Sequence, residues 1–427
     1  MHSSPLQLRP RSYDAIVRLV DMGLDIPDPL ALDIGPEVDL ERISGRDVTL
    51  YPGCRIYGAK TVISAGVKLG AEAPVTIDDC RLGPEVELKG GSFKRSVFLE
   101  KANMGPCAQV REACLLEEEA NGAHCVGLKQ TILFPFVTLG SLVNLCDCLM
   151  AGGTSRKDHS EVGSSYIHFN FTPDGDKTTP SLFGDVPRGV MLDQPPIFLG
   201  GQGGAVGPLR LGFGTVVAAG SILRGDVLAD GRFVISPSHP GDERERVPHA
   251  YRDLARVVAN NVIYLANLVA LEQWYIHVRQ SFFATQELGG LVYEGALEML
   301  ALAKRERATR LTAMAAKVPP TEAGRRVLRE RSAEVCALFE GEPPAAGRQA
   351  FTEAFRKAIA GGVANGAAAP ADAPGASAAV PLDYTQTIQQ LPGDVVVAGV
   401  SWLQQVVDSL CEQAAALLQP LRLFHEP

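Results

Sequence analysis

The sequence has few aromatic residues, no excess of positive charge and no Cys-x-x-Cys pair. Aromatic residues make up 6% of its 427 positions, and 49 Asp and Glu outnumber 40 Lys and Arg. The resulting net charge of −9 argues against a nucleic-acid-binding protein, because such proteins normally present a basic surface. Without a Cys-x-x-Cys pair a zinc site has little support, so we expect no metal.

Long apolar runs are also missing. No run approaches the roughly 20 residues that cross a bilayer, and the N-terminus lacks the apolar core of a signal peptide. We therefore expect no membrane partner. Seven of the nine cysteines fall between positions 54 and 148, where we interpret them as small buried side chains. Free thiols in this number fit a reducing compartment, which predicts a cytoplasmic protein.

Glycine is abundant, with 43 residues, and it often follows an aliphatic residue that recurs every six positions. Examples between positions 34 and 227 are Leu69-Gly70, Leu82-Gly83, Met104-Gly105, Leu139-Gly140 and Leu211-Gly212. A period of six fits neither an amphipathic helix nor an alternating strand. It is typical of a hexapeptide-repeat parallel β-helix, in which the chain turns a corner about every six residues. At about 18 residues per coil and ~4.8 Å per coil, the repeats predict about eleven coils and a column roughly 50 Å long.

The repeats divide the chain into three regions and predict a mainly β fold. Residues 1–30 form an N-terminal cap with one helix, N-capped by Ser12. Residues 31–236 form the β-helix. Residues 237–427 form an α-helical domain, interrupted by a flexible linker at 361–381 that is rich in Gly, Ala and Pro. The predicted helices of this domain are 249–284, 286–317, 321–340, 346–360 and 396–419. Loops that leave the β-helix are predicted at 151–161, 171–181 and 186–196.

Several motifs within residues 14–236 resemble the acetyltransferase half of the bifunctional UDP-N-acetylglucosamine pyrophosphorylase/glucosamine-1-phosphate acetyltransferase family. The chain enters its first coil through a helix and the segment Met22-Gly-Leu-Asp-Ile-Pro-Asp-Pro. The run that starts at Gly163 and continues through Asn170 to Asp174-Gly175 resembles the G-A-G-T-x-x-x-N-Y-D-G loop of the family, with two residues inserted. The segment Val216-Val-Ala-Ala-Gly-Ser resembles the family stretch that ends in A-A-G-T/S.

This resemblance implies a left-handed parallel β-helix, a homotrimer and an acetyl-CoA site between neighbouring prisms. Acetyl-CoA would serve as a co-substrate. A glycine-dense run that includes Gly201, together with Ala219, would let the pantetheine arm approach the backbone, and Arg210 or Arg224 would meet the CoA phosphates. Tight corners of the β-helix are an equally good interpretation of these glycines.

The resemblance also implies a sugar-phosphate site. Arg111 and Lys129 correspond to two cationic family residues that hold the phosphate, and Lys177 follows the loop as a family lysine does. Asn170 and Asp174 are the loop residues expected to bind the sugar. Guanidinium and ammonium groups suit a phosphate because they bring charge and fixed donors to it. Solvated surface charge is the alternative interpretation of all three cations.

The chain departs from the family at the catalytic histidine, which falls near Ser141. A serine cannot act as a base near neutral pH without a partner. His168 and His159 lie close in sequence, and either could take the proton because imidazole titrates in the required range. Both could equally be ordinary polar loop residues.

Two functions follow from these observations. The first is an acyl-CoA-dependent transferase that acts on an amino sugar or sugar phosphate, and we expect the transferred acyl group to be acetyl. The alternative is a non-catalytic sugar-phosphate-binding or scaffold protein that has lost the catalytic histidine. Only about thirty residues precede the first hexad, so we expect no uridylyltransferase domain and no unaided synthesis of UDP-N-acetylglucosamine. A metal-dependent enzyme on the same prism would need converging histidines, and the hexads hold no convincing His-x-x-x-x-His pair.

Overall fold

The computed structural model of the chain describes residues 9–236, 240–366 and 383–424. The first of these ranges winds into a parallel β-helix of about eleven turns, and a helical region follows it. The predicted mainly β fold with a C-terminal helical domain is therefore confirmed. Three walls of short parallel strands enclose an aliphatic core, and we number them in the order in which the chain passes through each coil.

Wall 1 is a separate ten-stranded sheet, whereas walls 2 and 3 are two sides of one sixteen-stranded sheet. Wall 1 consists of Thr49–Leu50, Lys68–Leu69, Glu87–Leu88, Asn103–Met104, Asn121–Gly122, Thr138–Leu139, Glu161–Val162, Phe198–Leu199, Val216–Val217 and Phe233–Val234. Wall 2 consists of Asp33–Ile34, Arg55–Tyr57, Val75–Asp78, Gly91–Lys94, Ala108–Val110, Ile167–Phe169, Gly204–Val206 and Ile222–Leu223. Wall 3 consists of Val62–Ile63, Arg81–Leu82, Ser96–Phe98, Cys114–Leu116, Ser181–Phe183 and Arg210–Leu211. The strands Gly127–Leu133 and Asn144–Met150 bend around the corner and belong to walls 2 and 3. A two-stranded hairpin, Gly153–Ser155 with Asp158–His159, leaves the column after wall 3.

Backbone hydrogen bonds between coils allow corners that most residues avoid. Cys107, Cys125 and Leu142 occupy successive turns of the corner between walls 1 and 2, with φ of +62°, +58° and +61°. Positive φ is uncommon outside glycine. Here the Cys125 N–H donates to the carbonyl of Pro106 (2.9 Å), and the Leu142 N–H donates to the carbonyl of His124 (3.1 Å). The stack of coils therefore fixes the corner conformation. Cys107 and Cys125 are exposed there, unlike the buried Cys54, Cys80, Cys114 and Cys148, so burial holds for only part of the cysteine set.

The helices of the described residues are α1 (Tyr13–Asp21), α2 (Val186–Gly189), α3 (Leu254–Trp274), α4 (Gln280–Phe283), α5 (Gly289–Lys317), α6 (Ala323–Ala337), α7 (Arg348–Gly366), α8 (Tyr384–Gln389) and α9 (Gly393–Leu417). A π-helical turn, Tyr275–Arg279, joins α3 to α4, and short 3-10 turns lie at Pro29–Ala31, Leu40–Arg42 and Gln419–Leu421. Three of these elements differ from the sequence prediction. Helix α2 lies in a predicted loop, α8 was not predicted, and α7 continues to Gly366 through the start of the predicted linker. The linker residues 367–381 lie outside the described residues.

Ser12 sits directly before α1, but its hydroxyl does not cap the helix. It accepts a hydrogen bond from the Ile34 N–H at 3.1 Å, on the first strand of wall 2. The predicted N-cap therefore ties the cap helix to the first coil instead of satisfying the helix end. Ile16 and Leu19 of α1 are buried, so the cap covers the open end of the aliphatic core.

The helical region covers wall 3, and α5 follows this wall along the column. Near its start, Glu287 accepts from Arg46 at 2.6 Å, and at its end Lys317 donates to the Asp174 carbonyl at 2.6 Å. The 29 residues of α5 span about 43 Å at ~1.5 Å per residue, close to the length of the column. At Gly295 a side chain would lie 2.4 Å from Cδ of Arg81, so glycine lets the helix approach wall 3 closely.

The segment Leu254–Phe283, which begins with α3, is long and apolar enough to cross a membrane by length and composition. Its most apolar window is nevertheless 78% buried inside the protein. Leu265, Leu268 and Trp274 are each fully buried. The segment therefore has the surroundings of a core helix. This burial explains why the chain contains an apolar segment longer than we expected from the sequence.

A buried group of charges joins the helical region to the corner between walls 3 and 1. Arg279 is 1% exposed, and its guanidinium contacts Glu118 and lies 3.8 Å from Glu117. The Tyr275 hydroxyl donates to Glu117 at 2.6 Å. Burial raises the pKa of Glu117 to about 7, although the charge of Arg279 opposes this rise. One guanidinium thus faces two carboxyls, which favours one of them staying protonated near neutral pH.

We predict that Glu117→Gln removes part of the dependence of stability on pH. A carboxyl with a raised folded pKa binds more protons in the native state than in the unfolded state. Stability is then fully present below the unfolded value of 4.5 and falls as pH rises towards about 7. Urea unfolding at pH 5 and pH 8 should show a smaller loss of unfolding free energy in the variant than in the unmodified protein. The exposed Glu330→Gln serves as control, and an unchanged slope in Glu117→Gln would contradict the prediction.

Candidate functional site

The two cations expected to hold a phosphate lie side by side on wall 2. Val110 pairs with Leu128 in register, and the Arg111 N–H donates to the Leu128 carbonyl at 2.9 Å. Arg111 and Lys129 are the next residues along these strands, so they project outward from adjacent coils. Arg111 is exposed, and the Lys129 side chain is 30% exposed. One ligand on wall 2 can therefore contact both.

A carboxylate shares this position. Lys129 Nζ lies 2.8 Å from Glu112, and although burial alone would raise the pKa of Glu112, the hydrogen bond and charge of Lys129 lower it overall. Glu112 is therefore ionised at neutral pH and offsets the charge of Lys129. The net positive charge here comes from Arg111, and an anion must share Lys129 with Glu112.

The loop after His168 begins at the far edge of wall 2 and is held by a buried ion pair. Asn170 donates to Asp147 at 3.3 Å and accepts from Thr179 at 2.9 Å. Asp147 in turn pairs with Arg307 of α5 at 2.9 Å, with both side chains almost completely buried. Burial raises the pKa of Asp147, and the charge of Arg307 opposes that rise. Asn170 itself is exposed at the edge of wall 2, where a ligand can reach it.

The helical region also fixes the rest of the loop. Asp174 accepts from Arg246 and from the His249 N–H, each at 2.9 Å, so its carboxylate is engaged within the chain. The Lys177 carbonyl accepts from Arg307 at 3.2 Å, whereas its side chain is exposed. Of the loop residues predicted from sequence, Lys177 has an exposed side chain. Asn170 is also exposed, but its amide already bonds Asp147 and Thr179, and Asp174 mainly shapes the loop.

His168 points into the prism. It is 4% exposed, and its Nε2 lies 2.7 Å from the Ser181 hydroxyl on wall 3. Burial lowers its pKa to about 4, so the imidazole is neutral at physiological pH. A group in this position does not meet a substrate on the outer surface. The structure therefore argues against His168 as the base and favours a role in the core.

His159 lies on the hairpin between walls 3 and 1, away from wall 2. Its Nδ1 is 2.9 Å from the Arg156 carbonyl, and its Nε2 is 3.8 Å from Glu161. The structure does not bring His159 to Arg111 or Lys129. It has the contacts of a loop histidine.

Sequence reasoning missed His124. Its Nδ1 lies 2.9 Å from the Ser141 hydroxyl, where the family histidine was expected, and the two residues stack on the exposed corner between walls 1 and 2. They are seventeen positions apart, about one coil. Writing the sequence in rows of coil length would have placed them together. In the tautomer in which Nδ1 donates its proton to the hydroxyl, Nε2 is free to take a proton.

Gly201 and Ala219 continue the same corner. The Gln202 N–H donates to the Ser164 carbonyl at 2.8 Å, and the Gly220 N–H donates to the Gly201 carbonyl at 2.9 Å. A side chain at Gly200 would lie 2.3 Å from the Ala219 nitrogen, so these corners are tightly stacked. Gly201 and Ala219 thus lie on the same corner as Ser141, two and three coils further along the column. Arg210 is not among them, because it projects from wall 3.

No family model matches the chain. It is 27% identical over 243 residues to the bifunctional protein GlmU of Fervidobacterium nodosum, an alignment that covers 55% of this chain and 47% of the relative. It is 28% identical over 222 residues to the bifunctional protein GlmU of Thermotoga maritima, covering 52% of this chain and 43% of the relative. It is 27% identical over 205 residues to the bifunctional protein GlmU of Clavibacter sepedonicus, covering 48% of this chain and 36% of the relative.

The resemblance to the acetyltransferase half of this family is confirmed. It rests on this similarity together with the coiled parallel fold. The chain spans less than half of the length of these relatives. Within the described residues, no group of three or more His, Cys, Asp and Glu is placed to hold a metal ion.

We predict that Arg307→Met destabilises the protein by about 3–5 kcal/mol, because it leaves Asp147 charged, buried and unpaired. The double variant Asp147→Asn with Arg307→Met should recover part of this loss, since the amide keeps its hydrogen bonds without a charge. Urea unfolding measures both effects.

Arg310→Met is the matched control for this prediction. Arg310 lies one turn further along α5, is 31% exposed and pairs with Glu306 at 2.8 Å. Its loss should change stability by no more than about 0.5 kcal/mol. Equal effects of the two substitutions would show that the buried pair does not anchor the loop.

Proposed function

We propose that the chain is an acyl-CoA-dependent transferase, with acetyl as the acyl group, that acts on an amino sugar or sugar phosphate at wall 2. The observation that carries the proposal is the placement of Arg111 and Lys129 on adjacent coils of an exposed wall. Asn170 at the edge of this wall and the exposed Lys177 supply further polar contacts. The relatives named as bifunctional protein GlmU agree with a sugar-related acyltransferase.

The acyl donor would approach along the corner that carries Gly201 and Ala219. Closely stacked backbone leaves room there for a narrow pantetheine arm, and backbone N–H groups can hold the developing oxyanion. The acceptor amine attacks the thioester carbonyl, a C–N bond forms and the C–S bond breaks. The proton leaves the amine for a base and ends on the departing thiolate.

We assign the base to His124, supported by Ser141. Of the three histidines considered, His124 combines exposure with a hydroxyl at Nδ1 that orients the ring. General-base catalysis of this kind typically contributes about 10²–10⁴ in rate. His168 and His159 remain weaker assignments because one is buried in the core and the other lies on a different corner.

The experiment is a thiol-release assay with acetyl-CoA and glucosamine 1-phosphate. We expect turnover by the full chain. Lys129→Met and Arg111→Met should each raise KM for the sugar phosphate at least tenfold, because each removes a charge from the phosphate site. His124→Ala should lower kcat at least tenfold with little change in KM.

Lys101→Met is the control, since Lys101 is an exposed lysine at the corner between walls 3 and 1, away from wall 2, and pairs with Glu100 at 2.8 Å. It should leave both constants near their original values. If calorimetry shows that the chain binds the sugar phosphate but not CoA, and the assay shows no turnover, the non-catalytic scaffold is favoured. The replacement of the family histidine by Ser141 is the feature that motivates this alternative. Normal turnover in His124→Ala would remove only the assignment of the base.

We further propose a cytoplasmic homotrimer that assembles through walls 1 and 2, because the helical region covers wall 3. Phe198, Val216 and Phe233 stack in register on wall 1 and are 39%, 38% and 69% exposed. A contiguous apolar column of this kind on an outer wall is typical of an interaction surface.

Light scattering on the full chain should give a mass three times 45.5 kDa. Val216→Glu should shift the mass towards one chain, since it introduces a charge into the apolar column. Leu30→Glu, at an exposed leucine elsewhere, is the control and should leave the mass unchanged. A single-chain mass at all concentrations would contradict the proposed assembly.

A further inference from the structure

A cleft of about 450 Å³ opens between wall 3 and the helical region, on a different side of the column from Arg111 and Lys129. Its apolar surface comes from three sides: Leu182 and Leu211 of wall 3, Ile263 of α3 and Val407 of α9. Ligand sites commonly have volumes of about 300–1,000 Å³ and mostly apolar linings with a few polar groups. The volume of the cleft lies in this range, and its lining combines these apolar side chains with several charged and polar ones.

Arg210 supplies the positive charge of the cleft and lacks a hydrogen-bond acceptor among the described residues. Its side chain is 27% exposed, and its buried Nε has no partner. Nη2 lies 3.7 Å from Asp226, which is too long for a hydrogen bond. Asp226 instead bonds Asn260, whose amide nitrogen donates to both carboxylate oxygens at 3.0 and 3.2 Å. The buried Nε thus lacks a matching acceptor, while the Nη atoms still reach solvent.

The other arginine at the cleft is already neutralised. Arg188 pairs with Asp185 at 2.7 Å and with Asp230 at 2.6 Å, and its guanidinium lies over the ring of Phe213. Arg210 is therefore the cation available to a ligand. A planar guanidinium presents parallel donors that match the two oxygens of a carboxylate. A carboxylate that accepts from Nε would recover part of the free energy lost when this donor was buried.

The rim limits the charge that the ligand can carry. Asp408 and Glu412 of α9 line the cleft and are exposed. Their charges repel a polyanion, which argues against the CoA phosphates that we expected Arg210 to meet. A single carboxylate on an aliphatic chain fits one cation, an apolar interior and an acidic rim.

We propose that this cleft is a binding site for an aliphatic monocarboxylate, held by Arg210 and buried against Leu182, Leu211, Ile263 and Val407. The site is separate from wall 2 and does not depend on the transferase proposal. Binding bridges wall 3 and α9, so it stabilises the contact between the β-helix and the helical region.

The test is calorimetry on the full chain with sodium octanoate, with benzoate as a second monocarboxylate probe. We expect saturable one-site binding of octanoate. Arg210→Met should weaken it at least tenfold, and Val407→Trp should abolish it by filling the cleft. Pyrophosphate should bind more weakly than octanoate because of the acidic rim.

Arg224→Met is the control, since Arg224 is an exposed arginine near the same end of the column. It should bind octanoate like the unmodified chain. In the absence of ligand, Arg210→Met should melt no lower than the unmodified protein, because it removes a cation that lacks an acceptor. An unchanged melting temperature would show that Arg210→Met loses octanoate binding without losing its fold. No saturable binding of either probe, or equal octanoate binding by Arg210→Met, overturns the proposal.

Discussion

The in-register stacking of coils is the constraint on which the rest of the structure depends. Each strand pairs with the same wall of the coils before and after it, about 4.8 Å away. Residues one coil apart therefore touch, whatever their separation in the sequence. Arg111 meets the coil of Lys129 in this way, and His124 meets Ser141. The same stacking holds non-glycine residues at positive φ, because each corner N–H donates to the previous coil.

The hexad pattern predicted what depends on this stacking alone. Aliphatic residues such as Leu69, Leu88 and Met104 point inward at successive coils, and all are fully buried. The hexads predicted the β-helix, and the point where they end predicted the start of the helical domain. The His124–Ser141 contact was harder to predict, since coil lengths vary between seventeen and eighteen residues in this part of the chain. A shift of one position changes which corner residues meet.

The orientation of His168 shows where local reasoning fails. Its neighbours Ile167 and Phe169 point outward, so alternation along the strand turns His168 inward towards Ser181. Sequence proximity to Asn170 suggested a common site, but adjacent strand residues face opposite sides. The family comparison identified the wall of the candidate site through Arg111 and Lys129. It could not identify residues that the helical region supplies, because Arg307 and Lys317 lie outside the matching region.

The helical region changes what the β-helix can do. By covering wall 3 it leaves two walls open, and through Arg307 and Lys317 it fixes a loop that would otherwise extend from the column. Arg307 forms a buried ion pair and Lys317 donates to a backbone carbonyl. Removing one partner of a buried ion pair lowers stability strongly, because it leaves the other charge unpaired. Arg210 differs from these anchors, because its contact with Asp226 is too long for a hydrogen bond and its buried Nε has no partner. Buried nitrogens of Arg279 also lack hydrogen-bond partners, but that guanidinium contacts Glu118 directly. Arg210 has no contact of this kind and lines a cleft, so a ligand carboxylate is the partner that fits it.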